Sequence, residues 1–232
     1  EVRRVAAAFA AMQARLLRTM EDHTQSLVAV SHDLRTPIQR LRLRAALIDD
    51  REMQAAITQD LIEMEHFIAA TLAYVREDKE EAARLVDVAA IASSAVDDAA
   101  DAGADIALSG CDELVVSTRP IAFKRLLGNL IDNAIRHGEQ VTVMLEVVAD
   151  GFAISVEDDG PGIPVALRAE ALLPFRRLEH DGARTEGGAG LGLAIADKAA
   201  RAMGGALVLD ESAMGGLRVR VVLPGAGALL PL

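Results

Sequence analysis

The sequence predicts an α+β chain in two parts, a helical hairpin followed by an α/β sandwich. Up to about residue 78, apolar residues recur at steps of three and four, which is the spacing of an amphipathic helix. From about residue 82 onward, helical patterns alternate with short runs in which apolar and polar residues alternate, as they do in strands. The change in pattern between these regions predicts a domain boundary near residue 78.

Two helices account for the first part. Their apolar stripes run through Leu34, Ile38, Leu41 and Ala45, and through Ile57, Leu61, Met64 and Ile68, with a polar turn at residues 49–52 between them. A hairpin of this size has too little core to be stable alone, and pairing two hairpins into a four-helix bundle buries both stripes. We therefore expect a homodimer.

Residues 76–81 form a run of charged side chains without apolar periodicity. A solvated helix end explains such a run, and so does a hinge between domains. The sequence leaves both interpretations open.

In the second part, alternation predicts strands at residues 115–116, 141–148, 152–157, 206–209 and 217–223. Helical spacing predicts helices near residues 87–102, 120–137 and 191–203. Turns at residues 149–151 and 214–216 join neighbouring strands as hairpins. Hairpins with intervening helices indicate a mixed sheet covered by helices, which is an α/β sandwich.

Charge and composition exclude several classes of protein. A net charge of −11 argues against nucleic-acid binding, which needs a basic surface. A single Cys excludes a disulfide framework. No run of about 18 apolar residues is present, so no segment of this chain is expected to enter a membrane. The charged start without a methionine is interpreted as that of a fragment.

Three short motifs in the second part suggest a ligand site. Asn129 and Asn133 lie four apart on one predicted helix face, where amide oxygens can reach a hard cation or its bound water. Residues 158–162, Asp-Asp-Gly-Pro-Gly, end a strand in a tight turn, where a carboxylate can accept a hydrogen bond from a ligand amine. The glycine run at residues 188–192 precedes a helix and can hold phosphate with backbone N–H groups. Each motif is weak alone, but their combination in one domain is far more specific.

This combination resembles the ATP-binding domain shared by histidine kinases, gyrase-type ATPases, mismatch-repair ATPases and the ninety-kilodalton chaperones. Residues 126–134 are similar to the N box of that family, residues 157–162 to its first glycine box, Pro174-Phe175 to its F box, and residues 188–194 to its second glycine box. The resemblance implies an ATP-binding catalytic domain over residues 79–225, followed by a tail at 226–232.

The upstream sequence indicates the branch of this family. Residues 30–37, Val-Ser-His-Asp-Leu-Arg-Thr-Pro, resemble the H box of histidine kinases and lie on the predicted hairpin. Residues 1–22 resemble the end of a HAMP signalling helix, and the likeness is nearest to kinases of the osmosensing EnvZ type. Residues 23–78 would then be the dimerisation and phosphoacceptor hairpin.

The resemblance implies that the His32 ring attacks the γ-phosphorus of ATP. Asp33 matches the acidic residue that orients the ring and accepts its proton. Thr36 matches the position that orients water to hydrolyse a phospho-aspartate. The chain is therefore expected to phosphorylate itself, to pass the phosphoryl group to the receiver domain of a response regulator, and to act as a phosphatase. The resemblance also implies that the chain is the cytoplasmic portion of a membrane-anchored sensor of the bacterial inner membrane.

The same resemblance implies contacts to ATP and Mg²⁺. Asn133 is expected to bind magnesium, with Asn129 assisting directly or through water. Asp159 is expected to accept the adenine amine, Arg136 to contact phosphate and His137 to stack on adenine. The remaining expected nucleotide contacts are Gly160, Gly162, Phe175, Arg184, Gly188, Gly190, Leu191 and Gly192.

Two other hypotheses are weighed against this one. An ATP-driven clamp related to gyrase or the chaperones would need no histidine chemistry, and the H box argues against it. A non-enzymatic scaffold would only bind a partner, and the intact nucleotide motifs argue against it.

Overall fold

The computed structural model describes residues 29–30, 33–75, 81–176 and 190–225. The segments predicted at residues 1–22 and 226–232 lie outside this range. The chain divides into one compact unit that ends at Arg76 and a second that begins at Glu77. Among the described residues, no helix is both long enough and apolar enough to cross a bilayer.

The first unit contains two helices joined by a short turn. Helix α1 covers residues 33–45, and helix α2 covers Arg51–Val75. The turn comes slightly earlier than predicted because Asp50 serves as the cap of α2. Its Oδ1 accepts hydrogen bonds from the backbone nitrogens of Glu52, at 3.0 Å, and Met53, at 3.2 Å.

Helices α1 and α2 contact each other as the predicted hairpin requires. Ile38 on α1 and Leu61 on α2 are buried. Near the same level, Gln39 Nε2 donates to Glu65 Oε1 at 3.1 Å, and Arg42 Nη1 lies 3.5 Å from Glu65 Oε2. The hairpin is confirmed, whereas the four-helix bundle remains a prediction because it requires a second chain.

The second unit begins with β1 and alternates strands with helices. Its elements are β1 Arg84–Asp87, α3 Val88–Asp101, β2 Asp105–Gly110, β3 Val115–Thr118, α4 Pro120–His137, β4 Gln140–Val148, β5 Gly151–Asp158, a 3-10 helix Val165–Leu167, α5 Arg168–Ala171, α6 Gly192–Ala202, β6 Ala206–Glu211 and β7 Leu217–Pro224. Five strands form a sheet in the order β2-β4-β5-β7-β6, in which β2 is parallel to β4 and the other pairs are antiparallel. Strands β1 and β3 pair separately, also antiparallel.

One face of the five-stranded sheet packs against α3, α4 and α6 and forms the core. Phe123 of α4 meets Phe152 of β5 edge to face, with ring centroids 5.9 Å apart. The opposite face carries ion pairs between strands, including Arg220 with Glu146 at 2.6 Å. Helices on one face of a mixed sheet confirm the predicted α/β sandwich.

Helix α4 begins in a way that the sequence does not indicate. Pro120 occupies the first helical position, and the side chain of the N-cap residue Arg119 makes no capping hydrogen bond. Instead, the carboxylate of Glu81 accepts from the backbone nitrogens of Ile121, at 2.8 Å, and Ala122, at 3.0 Å. A residue from the start of the unit therefore caps the helix that carries the asparagine pair.

Candidate nucleotide-binding site

The asparagine pair lies on α4 close to the start of α6. Asn129 and Asn133 are both half-buried, and Asn129 Nδ2 donates to the carbonyl oxygen of Arg125 at 2.7 Å. A Cβ added to Gly192 would lie 3.9 Å from Asn129 Oδ1. The amide nitrogen is therefore used within α4, and the amide oxygen lies next to the first residue of α6.

The N-terminus of α6 is suited to an anion. The helix starts at Gly192, and its N-cap residue Leu191 provides no side-chain hydrogen bond to the first turn. Backbone N–H groups at a helix start, together with the helix dipole, favour negative charge. Leu191 is 1% exposed, which fixes the start of the helix against the core.

Asp158 ends β5 and is the enclosed carboxylate of the site. It is 2% exposed, and its Oδ1 accepts from the backbone nitrogens of Gly160, at 3.0 Å, and Leu217, at 3.1 Å. Burial raises the pKa of Asp158, while the two N–H bonds and the nearby charge of His137 act in the opposite direction. The two backbone N–H groups therefore hold Oδ1 of Asp158 in a fixed position.

Asp159, the next residue, has a different environment. Its side chain is exposed, and its Oδ1 accepts from the backbone nitrogens of Glu139, at 2.7 Å, and Gln140, at 3.0 Å. These bonds lower the pKa of Asp159. Asp159 thus holds the connection between α4 and β4, and this geometry argues against the sequence-based choice of Asp159 as the carboxylate that receives a ligand amine.

The sequence does contain a signal for Asp158. Large apolar residues, Phe152, Ile154 and Val156, occupy every second position of β5, and Asp158 continues that phase. Asp159 follows the end of the strand and is exposed. Extending the alternation by one more step would have selected Asp158.

Glycines bring the turn after β5 against the end of α4. A Cβ at Gly160 would lie 2.2 Å from the carbonyl oxygen of His137, so only glycine fits there. Gly162 has a φ of 66°, which favours glycine. Arg136 and His137, on the last turn of α4, are exposed. The Asp-Gly turn and the asparagine helix therefore form one continuous surface.

Phe175 lies at the end of a described segment, just before residues 177–189. Its φ is 61°, which is unusual for a bulky residue, and its backbone nitrogen donates to the carbonyl oxygen of Gly190 at 2.9 Å. The side chain of Phe175 is 52% exposed. This hydrogen bond thus joins the two described stretches of backbone on either side of residues 177–189.

Several predicted site residues cannot be placed with the others. His32, Arg184 and Gly188 lie outside the described residues. Asp33 and Thr36 lie exposed on α1, three residues apart and hence on the same side of the helix. The structure therefore brings together the nucleotide motifs of the second unit and describes the H box only in part.

Amide oxygens are the available hard donors for a metal. The described residues contain no group of three or more His, Cys, Asp or Glu side chains arranged to hold a metal ion. The amide oxygens of Asn129 and Asn133 fit Mg²⁺, which usually takes few protein ligands and completes its shell with phosphate and water.

Comparison with known proteins agrees with this geometry. The sequence profile described as "Histidine kinase-, DNA gyrase B-, and HSP90-like ATPase" matches residues 118–227. Sensor histidine kinase GtrS of Pseudomonas aeruginosa is 36% identical over 229 residues, which cover 98% of this chain and 47% of GtrS. Sensor histidine kinase CpxA of Escherichia coli strain K12 is 30% identical over 230 residues, which cover 94% of this chain and 50% of CpxA. The chain thus spans about half the length of these relatives.

A solved structure of a known protein is also similar to this chain. Full-length ShkA in complex with AMPPNP aligns with a TM-score of 0.69 and 25% sequence identity, over 90% of this chain and 47% of ShkA. Residues 118–227 therefore form an ATPase domain of the histidine kinase-, DNA gyrase B- and HSP90-like family, and the chain belongs with the sensor histidine kinases as their ATP-binding catalytic part.

Proposed function

We propose that this chain binds ATP in its second unit and transfers the γ-phosphoryl group to its own His32. One observation carries the proposal. The C-terminal end of α4, at His137, contacts the turn that follows the buried Asp158, and Asn129, eight residues before His137, lies next to the start of α6. Those residues span roughly 12 Å along the helix axis. Helix α4 thus lies between the proposed site for the purine base and the proposed site for the phosphates.

Asp158, rather than Asp159, is the proposed acceptor for the 6-amino group of adenine. A buried acceptor selects strongly for a donor, because any ligand without one leaves the carboxylate unsatisfied. The charge of His137 acts to lower the pKa of Asp158, so the two side chains lie near each other, and His137 is exposed. Stacking of His137 on adenine therefore remains part of the proposal.

The phosphates are proposed to lie at the start of α6, where Gly192 and the following residues present backbone N–H groups. Asn133 and Asn129 would hold Mg²⁺ through their amide oxygens, with Arg136 as a basic contact on the next turn of α4. When bound, magnesium neutralises charge on the phosphates and helps to align them. The contacts predicted for Arg184 and Gly188 stay predictions.

In the proposed transfer, a ring nitrogen of His32 bonds to the γ-phosphorus of ATP. The bond from that phosphorus to the β–γ bridging oxygen breaks, ADP leaves, and the proton of the ring passes to Asp33. A neutral imidazole is available near pH 7 because its ordinary pKa is about 6.5. The phosphoryl group then passes to an aspartate of a response regulator. In the proposed phosphatase activity, Thr36 orients a water molecule that attacks the phosphorus of that phospho-aspartate, the bond from phosphorus to the carboxylate oxygen breaks, and inorganic phosphate leaves.

The first unit supports the proposed homodimer. Leu34, Leu41 and Met64 lie on the predicted apolar stripes and are between 44% and 53% exposed in the single chain. A second hairpin would cover them. The membrane anchor expected for the whole protein stays a prediction, and so does a hinge near residues 76–82, which is one of the two interpretations of the charged run at residues 76–81.

The test is incubation of the chain with γ-labelled ATP and magnesium. We expect label that is labile to acid and stable to alkali, lost in His32→Ala while ATP binding is retained. Label that persists in His32→Ala, or steady ATP hydrolysis that this change leaves unaffected, would favour the ATP-driven clamp.

A further inference from the structure

The turn between β6 and β7, residues 212–216, folds back onto the end of β5. Ser212 is 5% exposed, although it lies in a hairpin turn. Its Oγ donates to Glu157 Oε2 at 2.9 Å and accepts from the backbone nitrogen of Met214 at 3.0 Å. A hydroxyl that donates to a carboxylate forms one of the stronger types of hydrogen bond.

Further contacts hold the same turn in place. The backbone nitrogen of Ala213 also donates to Glu157 Oε2, at 3.3 Å. Thr142 Oγ1 of β4 lies 3.7 Å from Met214 Sδ, and Ser212 N donates to the carbonyl oxygen of Gly216 at 3.0 Å. The β6–β7 turn is therefore attached to both β4 and β5.

The far end of the turn contacts Asp158 directly. The backbone nitrogen of Leu217 donates to Asp158 Oδ1 at 3.1 Å. A Cβ at Gly216 would lie 2.4 Å from that same oxygen and 2.5 Å from the backbone nitrogen of Gly160. Any movement of the turn therefore changes the surroundings of the proposed base-binding carboxylate.

We propose that the β6–β7 turn sets the orientation of Asp158, and that Ser212 and Glu157 are positioning residues for selection of a 6-amino purine over a 6-oxo purine. The bond between Ser212 and Glu157 fixes the turn, the turn places the N–H of Leu217, and that N–H holds Oδ1 of Asp158. This inference rests on the proposed nucleotide site.

The chemistry of selection explains why orientation matters. Adenine presents an N–H donor at its 6-position, whereas guanine presents a carbonyl oxygen there. A fixed carboxylate accepts from the first and opposes the second. A carboxylate that can rotate away loses the bond to adenine and no longer repels guanine, so the ratio of the two affinities falls.

The experiment measures dissociation constants for ATP and GTP on the whole chain by calorimetric titration. In Ser212→Ala and in Glu157→Met, we expect the GTP-to-ATP ratio of dissociation constants to fall roughly three- to tenfold, the effect of one lost hydrogen bond. Glu157→Gln keeps an acceptor for Ser212 and should retain the wild-type ratio. Both changes break the shared bond between Ser212 and Glu157, and each also removes one further acceptor, for Ala213 N in Glu157→Met and for Met214 N in Ser212→Ala. The double variant should therefore lose less than the sum of the two single losses.

Ser155→Ala is the matched control, because Ser155 is also 5% exposed and lies on the same strand as Glu157. It should leave the ratio unchanged. Thermal melting identifies any variant that fails to fold. If Ser212→Ala fails to fold, the test is the GTP-to-ATP ratio of dissociation constants in Glu157→Met compared with that in Glu157→Gln.

Asp158→Asn separates this inference from the proposed function. If Asp158→Asn abolishes discrimination while Ser212→Ala and Glu157→Met leave the ratio unchanged, the positioning role is wrong and the nucleotide site stands. An equal loss of ATP and GTP affinity in the two turn variants would likewise overturn it. If Asp158→Asn itself leaves the ratio unchanged, the base-binding assignment fails, and the positioning role fails with it.

Discussion

At the scale of single residues, the ionised form of Asp158 should lower the stability of the fold while it favours the binding of ATP. Burial raises its pKa above the ordinary value of 3.8, so the folded chain binds a proton at this group more readily than the unfolded chain. Ionised Asp158 therefore costs stability at neutral pH, and this cost disappears as the pH falls through the raised pKa. ATP binding requires the ionised form, so ATP affinity should begin to fall at a pH above 3.8.

Asp158→Asn removes the charge and keeps the oxygen. In the absence of nucleotide, the variant should melt no lower than the wild type at neutral pH. It should bind ATP at least about tenfold more weakly, because a hydrogen bond to a charged acceptor is lost. Thermal melts and calorimetric titrations over a pH series measure both quantities. The same series in His137→Gln separates the effect of the neighbouring imidazole charge.

Asp159→Asn should behave in the opposite way. Backbone N–H groups of Gln140 and Glu139 lower the pKa of Asp159, so this group contributes stability above its ordinary value of 3.8, and the contribution is lost as the pH falls through the lowered pKa. The variant should melt lower than the wild type at neutral pH and bind ATP with unchanged affinity. A large loss of ATP affinity here, with none in Asp158→Asn, would restore the original assignment to Asp159.

The pair of aspartates also shows where sequence inference stops. The motif at residues 158–162 contains two neighbouring aspartates, and the motif alone does not separate them. The structure shows that Asp158 is buried whereas Asp159 is exposed. Similarly, the buried role of Ser212 depends on contact with Glu157, 55 positions away, which no local pattern indicates.

At the scale of elements, the start of α4 depends on Glu81. Its carboxylate accepts from two N–H groups of the first turn, and a negative charge there is favourable to the helix dipole. Glu81→Ala should lower the free energy of unfolding of the second unit by about 1 kcal/mol, as loss of a helix cap does. Urea unfolding measures the change, and Glu113→Ala, at an exposed position, is the control. Equal midpoints for Glu81→Ala and wild type would contradict the capping role.

Elements with strong periodicity are those that the sequence predicts well. Strand β7 buries alternate residues along its length, and α4 buries one apolar face, so both patterns are visible in the sequence. Strands β1 and β2 were not predicted. No position in either strand is fully buried, so neither carries the strong apolar alternation of the predicted strands. The Glu81 cap was not predicted because it reaches across 40 positions.

At the scale of the whole molecule, the apolar stripe of the hairpin predicts dimerisation that is independent of nucleotide binding. Leu41 is 45% exposed on the stripe, whereas Leu43 is 71% exposed and lies off it. Leu41→Glu would place a charge in the dimer core and should give a monomer in sedimentation analysis, because burying an unpaired charge is costly. Leu43→Glu should remain dimeric. Both variants should bind ATP with wild-type affinity, since the second unit has its own core. A wild-type chain that sediments as a monomer, or a Leu41→Glu variant that sediments as a dimer, would contradict dimerisation through this stripe.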